Sequence, residues 1–183
     1  MSRTNYLRRP LTALLMGAAL AASVLMAAVV LASPAWAATY TVVNTKDAGA
    51  GSLRQAIIDA NTSTGVADTI NFDLRSSATI TLTSGQLPPI TGGAGLTIEG
   101  GSADITVSGD NQYRVFEVGS DAKLTLSNLT VADAGGADFG RPDGGIYNLG
   151  TLTVSNSTFS GNSAGVGGGI FNSGFGMLVE VMV

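Results

Sequence analysis

The 183-residue sequence contains neither His nor Cys, so any acid–base or metal chemistry falls to its 13 Asp and Glu and nine Lys and Arg side chains. Without His it lacks the commonest general base and the commonest metal ligand. Without Cys it can form neither a disulfide framework nor a thiolate metal site. Carboxylates in its strand-rich part include Asp104, Asp110, Glu117, Asp121, Asp133, Asp138 and Asp143, with Arg114, Lys123 and Arg141 nearby. Two carboxylates a fixed distance apart would suit a glycosidase, and several converging oxygens a Ca²⁺ site. Asp133, Asp138 and Asp143, at intervals of five in a Gly-rich stretch, are the best-spaced set. Runs rich in Asp and Gly are ordinarily solvated turns, and Gly165 to Gly169 lacks the Asp of a calcium-binding Gly-Gly-x-Gly-x-Asp array. On this reading no residue is assigned as catalytic, cofactor-binding or metal-ligating.

The elements that would position such groups are announced by an internal repeat. Gly144-Gly145-Ile146-Tyr147-Asn148 returns 24 residues later as Gly168-Gly169-Ile170-Phe171-Asn172, and Leu124 to Val131 aligns with Leu152 to Phe159 at an offset of 28. A period of this size, built of short alternating strands, marks a solenoid, because one unit cannot bury its apolar face alone. Thr69–Phe72, Thr79–Thr83, Leu96–Glu99, Ile105–Ser108, Val115–Val118, Leu124–Ser127 and Leu152–Ser155 each alternate apolar with polar residues, so one face of each is buried and the other wet. Gly, Asn and Asp between them supply the corners. Asn128 with Asn156, and Asn148 with Asn172, fall at equivalent corners, where Asn tolerates a left-handed backbone and can bond its neighbours above and below. The Asn-x-Ser/Thr triplets at Asn61, Asn128 and Asn156 are expected of a chain this rich in Asn, Ser and Thr. At some 24 residues per coil, the roughly 145 residues after the leader would make about six coils, a rod of about 30 Å.

Residues 1–37 read as an export signal: Arg3, Arg8 and Arg9 precede an apolar run from Leu11 to Ala32, and Ala35-Trp36-Ala37 places small residues where a signal peptidase cuts, before Ala38. An uncleaved membrane anchor is the competing reading, since the run is long enough to span a bilayer. The cleavage-site residues and the lack of a stop-transfer charge cluster favour the signal, leaving no membrane span in the mature chain. Residues 38–67 hold a strand at Tyr40–Asn44 and one helix at Ser52–Asn61. Ser52 with Gln55 fits a capping box, Leu53, Ala56, Ile57 and Ala60 share one face, and Asn61 is placed to close the end. Such a helix would cover the open apolar end of the first coil. Beyond the leader there are six basic and 13 acidic residues, a balance of −7 that repels phosphate backbones and argues against nucleic acid as a partner.

The coils fill residues 68–183. After Gly174 the repeat calls for another Thr-Leu-Thr-Val strand, but the chain reads Phe175 to Val183 (FGMLVEVMV) and stops. This departure suggests truncation or a frame change near Gly174. The alternative is a last strand, Met177 to Val183, whose free edge pairs with a second copy.

The GGIYN and TFSGN units resemble bacterial exported proteins that form right-handed parallel β-helices, including the polymorphic outer-membrane-protein repeats marked by paired Gly with an aliphatic residue and by Phe-x-x-Asn. Gly168-Gly169-Ile170 and Phe159-Ser160-Gly161-Asn162 fit those marks. Gly51-Ser52-Leu53-Arg54-Gln55-Ala56 resembles the N-terminal domain named for a Cys-Ser-Leu-Arg-Glu-Ala signature (CSLREA), with Gly for Cys and Gln for Glu, and Asp68 to Phe72 fits it too. The resemblance implies an all-β, right-handed parallel β-helix with one short N-terminal capping helix. It also implies an exported, extracellular or cell-surface location and an adhesin-like, non-catalytic role toward carbohydrate or other cell-surface molecules. The alternative is a carbohydrate-active β-helix enzyme, a polysaccharide lyase or glycoside hydrolase, with the Asp133 to Asp143 loop over a groove.

Overall fold

The computed structural model describes residues 36–63, 65–135, 144–174 and 177–180. Asp138, Arg141, Asp143 and the leader up to Ala35 lie outside the described residues. The strands are β1 (Thr39–Val42), β2 (Asp68–Phe72), β3 (Ala78–Thr81), β4 (Leu96–Glu99), β5 (Ile105–Ser108), β6 (Phe116–Val118), β7 (Lys123–Ser127), β8 (Leu129–Ala132), β9 (Ile146–Asn148), β10 (Thr151–Ser155), β11 (Thr158–Ser160), β12 (Ile170–Asn172) and β13 (Met177–Glu180), with one helix, α1 (Leu53–Thr62). They form three parallel sheets: A, in the order β1-β2-β4-β7-β10-β13; B, β3-β5-β8-β11; and C, β6-β9-β12. The chain passes from A to B to C and back, a β-solenoid of about four turns.

Four turns replace the six expected, for two reasons. Residues 38–67 are spent on one strand and the helix rather than on a three-strand coil. The commoner step is also longer than 24: Asp68, Leu96, Leu124 and Leu152 stand in register 28 residues apart. The 24-residue step aligns Ile146 with Ile170 in sheet C. Thirteen residues (133–145) connect β8 to β9 but nine (161–169) connect β11 to β12, and those four residues are the difference between the two offsets.

Alternation puts one apolar column of each sheet inside. Ile70, Ile98, Leu126 and Val154 stack in sheet A, Ile80, Val107 and Val131 in sheet B, and all seven are buried. Burying each such side chain contributes roughly 1.5–3 kcal/mol, and no single coil collects enough of them to fold alone. Asn128 and Asn156 turn the chain in left-handed conformations, φ 54° and 47°, as expected of corners. Asn148 and Asn172 do not: they end strands, where Asn148 Nδ2 donates to Asn172 Oδ1 at 2.7 Å and Asn148 Oδ1 accepts from the Gly150 N–H at 3.1 Å. Strand β13 extends sheet A, Leu152 to Ser155 of β10 aligning with Met177 to Glu180.

Helix α1 buries Leu53, Ala56, Ile57 and Ala60, the expected face. Only half the capping box forms. Ser52 Oγ accepts from the Gln55 N–H at 3.2 Å, while the Gln55 side chain donates to Asp59 Oδ1 at 2.8 Å instead of reaching back. Nor does Asn61 close the helix. Ser63 does, its N–H donating to Ala60 O at 3.1 Å, and Asn61 bonds Pro89 O and the Thr91 N–H, tying the helix to residues 89–91. Arg54 donates to Asp47 Oδ1, Asp47 O, Gln86 O and Gly85 O at 2.6, 3.0, 2.6 and 2.7 Å. Asp47 in turn accepts from the Ser84 N–H at 2.8 Å and from Ser84 Oγ.

Burial pushes the Asp47 carboxyl up, but hydrogen bonds from Arg54 and Ser84 and the Arg54 charge outweigh it and hold it at about 2 instead of 3.8. A depressed carboxylate stabilises the fold fully above its unfolded value and ceases to do so as pH falls through the folded one. Stability is therefore expected to drop by about 2 kcal/mol between roughly pH 4 and pH 2 through this group. Urea unfolding across that range, compared with an Asp47→Asn variant that should lack this component, checks it.

Candidate binding surface

In each coil the longest connection falls at the B–C corner: residues 82–89, 109–115, 133–145 and 161–169. The A–B corner is made by 73–77, 100–104, Asn128 alone and 156–157, and the C–A corner by 91–95, 119–122, 149–150 and 173–176. Insertions in a repeat scaffold that collect along one edge build its variable surface.

The carboxylates singled out from the sequence are dispersed over this frame. Asp104 lies at the A–B corner, Asp121 at the C–A corner, and Glu117 on the outer face of sheet C, where Arg114 Nη1 meets its Oε2 at 2.6 Å. Arg114 also lies over the Tyr147 ring, 4.7 Å from its centroid, and Tyr147 stacks on Phe171 at 5.4 Å. The stack is a structural ladder, since its members cover one another's faces. Lys123 is exposed at the start of β7. Asp110 and Asp133 are drawn together: Ser108 Oγ donates to Asp133 Oδ2 at 3.4 Å and accepts from the Asp110 N–H at 3.2 Å, and the Asn111 N–H donates to Asp133 O at 2.7 Å. Both Asp residues have left-handed backbones, φ 55° and 47°, so the pair shapes the corner. Among the described residues no group of three or more acidic side chains converges as a metal site would require.

Two outward columns of Thr run along the axis. Thr39, Thr69, Thr97, Thr125 and Thr153 stand in register on sheet A, and Thr79, Thr106, Thr130 and Thr158 on sheet B. Neighbouring rungs lie about 4.8 Å apart. Where the sheet-B column meets the A–B corner, a groove of about 230 Å³ opens between the loop 101–104 and the tighter corners of the next coils. Its walls include Ser102, Asp104, Asn128, Thr130, Asn156 and Thr158.

The groove's polar groups differ in their engagement. Asn128 Nδ2 and Ser127 Oγ both donate to Glu99. Burial raises the Glu99 carboxyl, but these bonds and one from the Gly101 N–H prevail and hold it below its ordinary value. By contrast, among the described residues the side chains of Ser102, Asp104, Thr130, Asn156 and Thr158 make no hydrogen bond within the chain. The lining thus presents hydroxyl, amide and carboxylate groups together, able to donate and accept at several points. Sequence reading found Asn128, Asn156 and Asp104 separately. It missed Thr130 and Thr158, although the aligned SNLTV and SNSTF units carry both in the same position. No protein-family model matches the chain, and none of the curated proteins compared with it matches.

Proposed function

We propose that the chain is an exported, non-catalytic, adhesin-like surface protein that binds carbohydrate, or another hydroxyl-rich cell-surface molecule, through its groove and Thr columns. The observation that carries this reading is the set of five polar side chains in the groove that have no partner among the described residues, on a scaffold of stacked parallel strands. Sugar hydroxyls are donors and acceptors at once, and hydroxyl, amide and carboxylate side chains match them in both senses. The GSLRQA, GGI and Phe-x-x-Asn signatures support placing it with bacterial exported β-helix proteins of the CSLREA and polymorphic outer-membrane-protein kinds. A fold of this type hosts unrelated activities, so the argument for binding rests on the groove.

The test is retention of the intact chain on immobilised neutral polysaccharides, alongside incubation with polyuronides and Ca²⁺. Retention without unsaturated products is expected, and Asp104→Ala and Asn156→Gly should each weaken it about tenfold. Asn156→Gly removes the side chain while keeping a residue suited to φ 47°. Turnover abolished by Asp138→Ala would sink the binding reading in favour of a lyase or hydrolase.

A further inference from the structure

Asp68 stands where the repeat has a core leucine. It is in register with Leu96, Leu124 and Leu152, which are 4%, 1% and 0% exposed, and Asp68 itself is 3% exposed. A carboxylate in such a position is costly unless it is paired. Among the described residues no Lys or Arg forms an ion pair with it. Its partner is the backbone nitrogen of Ala38, 2.7 Å from Asp68 Oδ1. Ala38 is fixed there because its carbonyl accepts from the Thr69 N–H at 2.9 Å, one rung before the Thr39–Thr69 pairing.

Ala38 is also the residue that the Ala35-Trp36-Ala37 pattern places first in the mature chain, and Trp36 just ahead of it is 80% exposed. We propose that Asp68 is the buried counter-ion of a new N-terminus, so that cleavage between Ala37 and Ala38 completes and locks the first coil. Hydrolysis by a leader peptidase adds one water across that peptide bond, leaving a carboxylate on Ala37 and an amine on Ala38 that is protonated at neutral pH. The Ala38 nitrogen then carries a full positive charge at the position where it already meets Asp68. The bond from a neutral N–H to the carboxylate thereby becomes an ion pair, which supplies the buried Asp68 charge with the opposite charge it lacked. The inference rests on the export reading but not on carbohydrate binding.

The other charged or titratable groups near this end are Asp59, which accepts from Gln55, and Tyr40, whose hydroxyl donates to Asp59 O. Burial first, then the Asp68 and Asp59 charges, raise the Tyr40 hydroxyl above its ordinary value. The Asp59 charge would add to the pull on an ammonium. An α-amino group stabilised in this way titrates above its ordinary value of about 7.8. Its contribution is complete below that value and disappears as pH rises through the folded one.

The experiment compares two forms with defined starts, one at Ala38 and one at Ala37, each with Asp68 and with Asp68→Asn. The longer form keeps the Ala38 N–H bond and carries its ammonium one residue upstream, on the exposed Ala37. The Ala38 form should melt about 4 °C higher at pH 6.5, Asp68→Asn should cancel the difference, and the gap should close toward pH 10. Equal melting of the two Asp68 forms overturns the proposal, as does a gap that survives Asp68→Asn. Intact mass of the exported chain separates the premises. A start at Ala38 supports the proposal; a start elsewhere, or a retained leader, overturns it while leaving export standing.

Discussion

Gly100→Ala is expected to destabilise the chain by about 3 kcal/mol or more, the upper end for overpacking a tight site. A Cβ at Gly100 would sit 1.8 Å from Asn128 O, 2.8 Å from the Asn128 carbonyl carbon and 3.1 Å from Leu129 Cδ2. The first two are backbone atoms of the next coil, held by the Gly100 N–H bond to Ser127 O at 2.9 Å, so neither can swing aside. The neighbouring Gly101→Ala is the control. Its Cβ would meet nothing within 4 Å, and it carries only the strain of φ +70°, about 1–2 kcal/mol. Thermal and urea unfolding of both variants should show the larger loss at Gly100. Equal losses would mean that backbone conformation, not the close approach of coils, sets the requirement.

Arg54→Ala should cost about 3 kcal/mol, the low end for removing one partner of a buried ion pair. The side chains of Arg54 and Asp47 are 14% and 11% exposed, so water replaces little of what is lost. The variant strips donors from Asp47 and from the Gly85 and Gln86 carbonyls together, loosening helix α1 from both segments it joins. Arg54→Lys should recover only part, because a point charge cannot span acceptors that a planar fork reaches. Losing Arg54 also removes the largest support for the depressed Asp47 carboxyl, so the stability lost between pH 4 and pH 2 should shrink in the same variant. Urea titrations at pH 7 and pH 2.5 read both effects. An unaltered acid loss in Arg54→Ala would assign the Asp47 shift to Ser84 instead.

These two sites show where the fold was legible and where it was not. Aligning LTLSNLTV with LTVSNSTF recovers the Leu124–Leu152 register and the left-handed corners Asn128 and Asn156, because stacked coils force equivalent residues into equivalent environments. The GGIYN and GGIFN pair likewise gives Ile146 with Ile170. The turn count failed because one offset was taken as the period, when the period changes from coil to coil with the lengths of its connections. Arg54 lay in a recognised signature, but its acceptors include carbonyls some 30 positions away, and backbone acceptors leave no sequence pattern. Asn61 misled for a related reason: a residue that often ends helices was used here as a tether. Asp68 was legible in principle. Setting Asp68-Thr69-Ile70-Asn71 against Leu96-Thr97-Ile98-Glu99 drops a carboxylate into the leucine column. The groove was harder, since it exists only because a longer corner in one coil stands beside tighter corners in the next.

The backbone hydrogen bonds of all three sheets run from coil to coil. Tension applied along the stack therefore opposes one rung of each sheet at a time, and the coils should peel singly, as a zip does. Tension across the stack must shear many rungs at once. Sheet C, whose strands β6, β9 and β12 are three residues each, offers the shortest rungs. Pulled by its two ends, the chain would thus yield by paying out length one coil at a time.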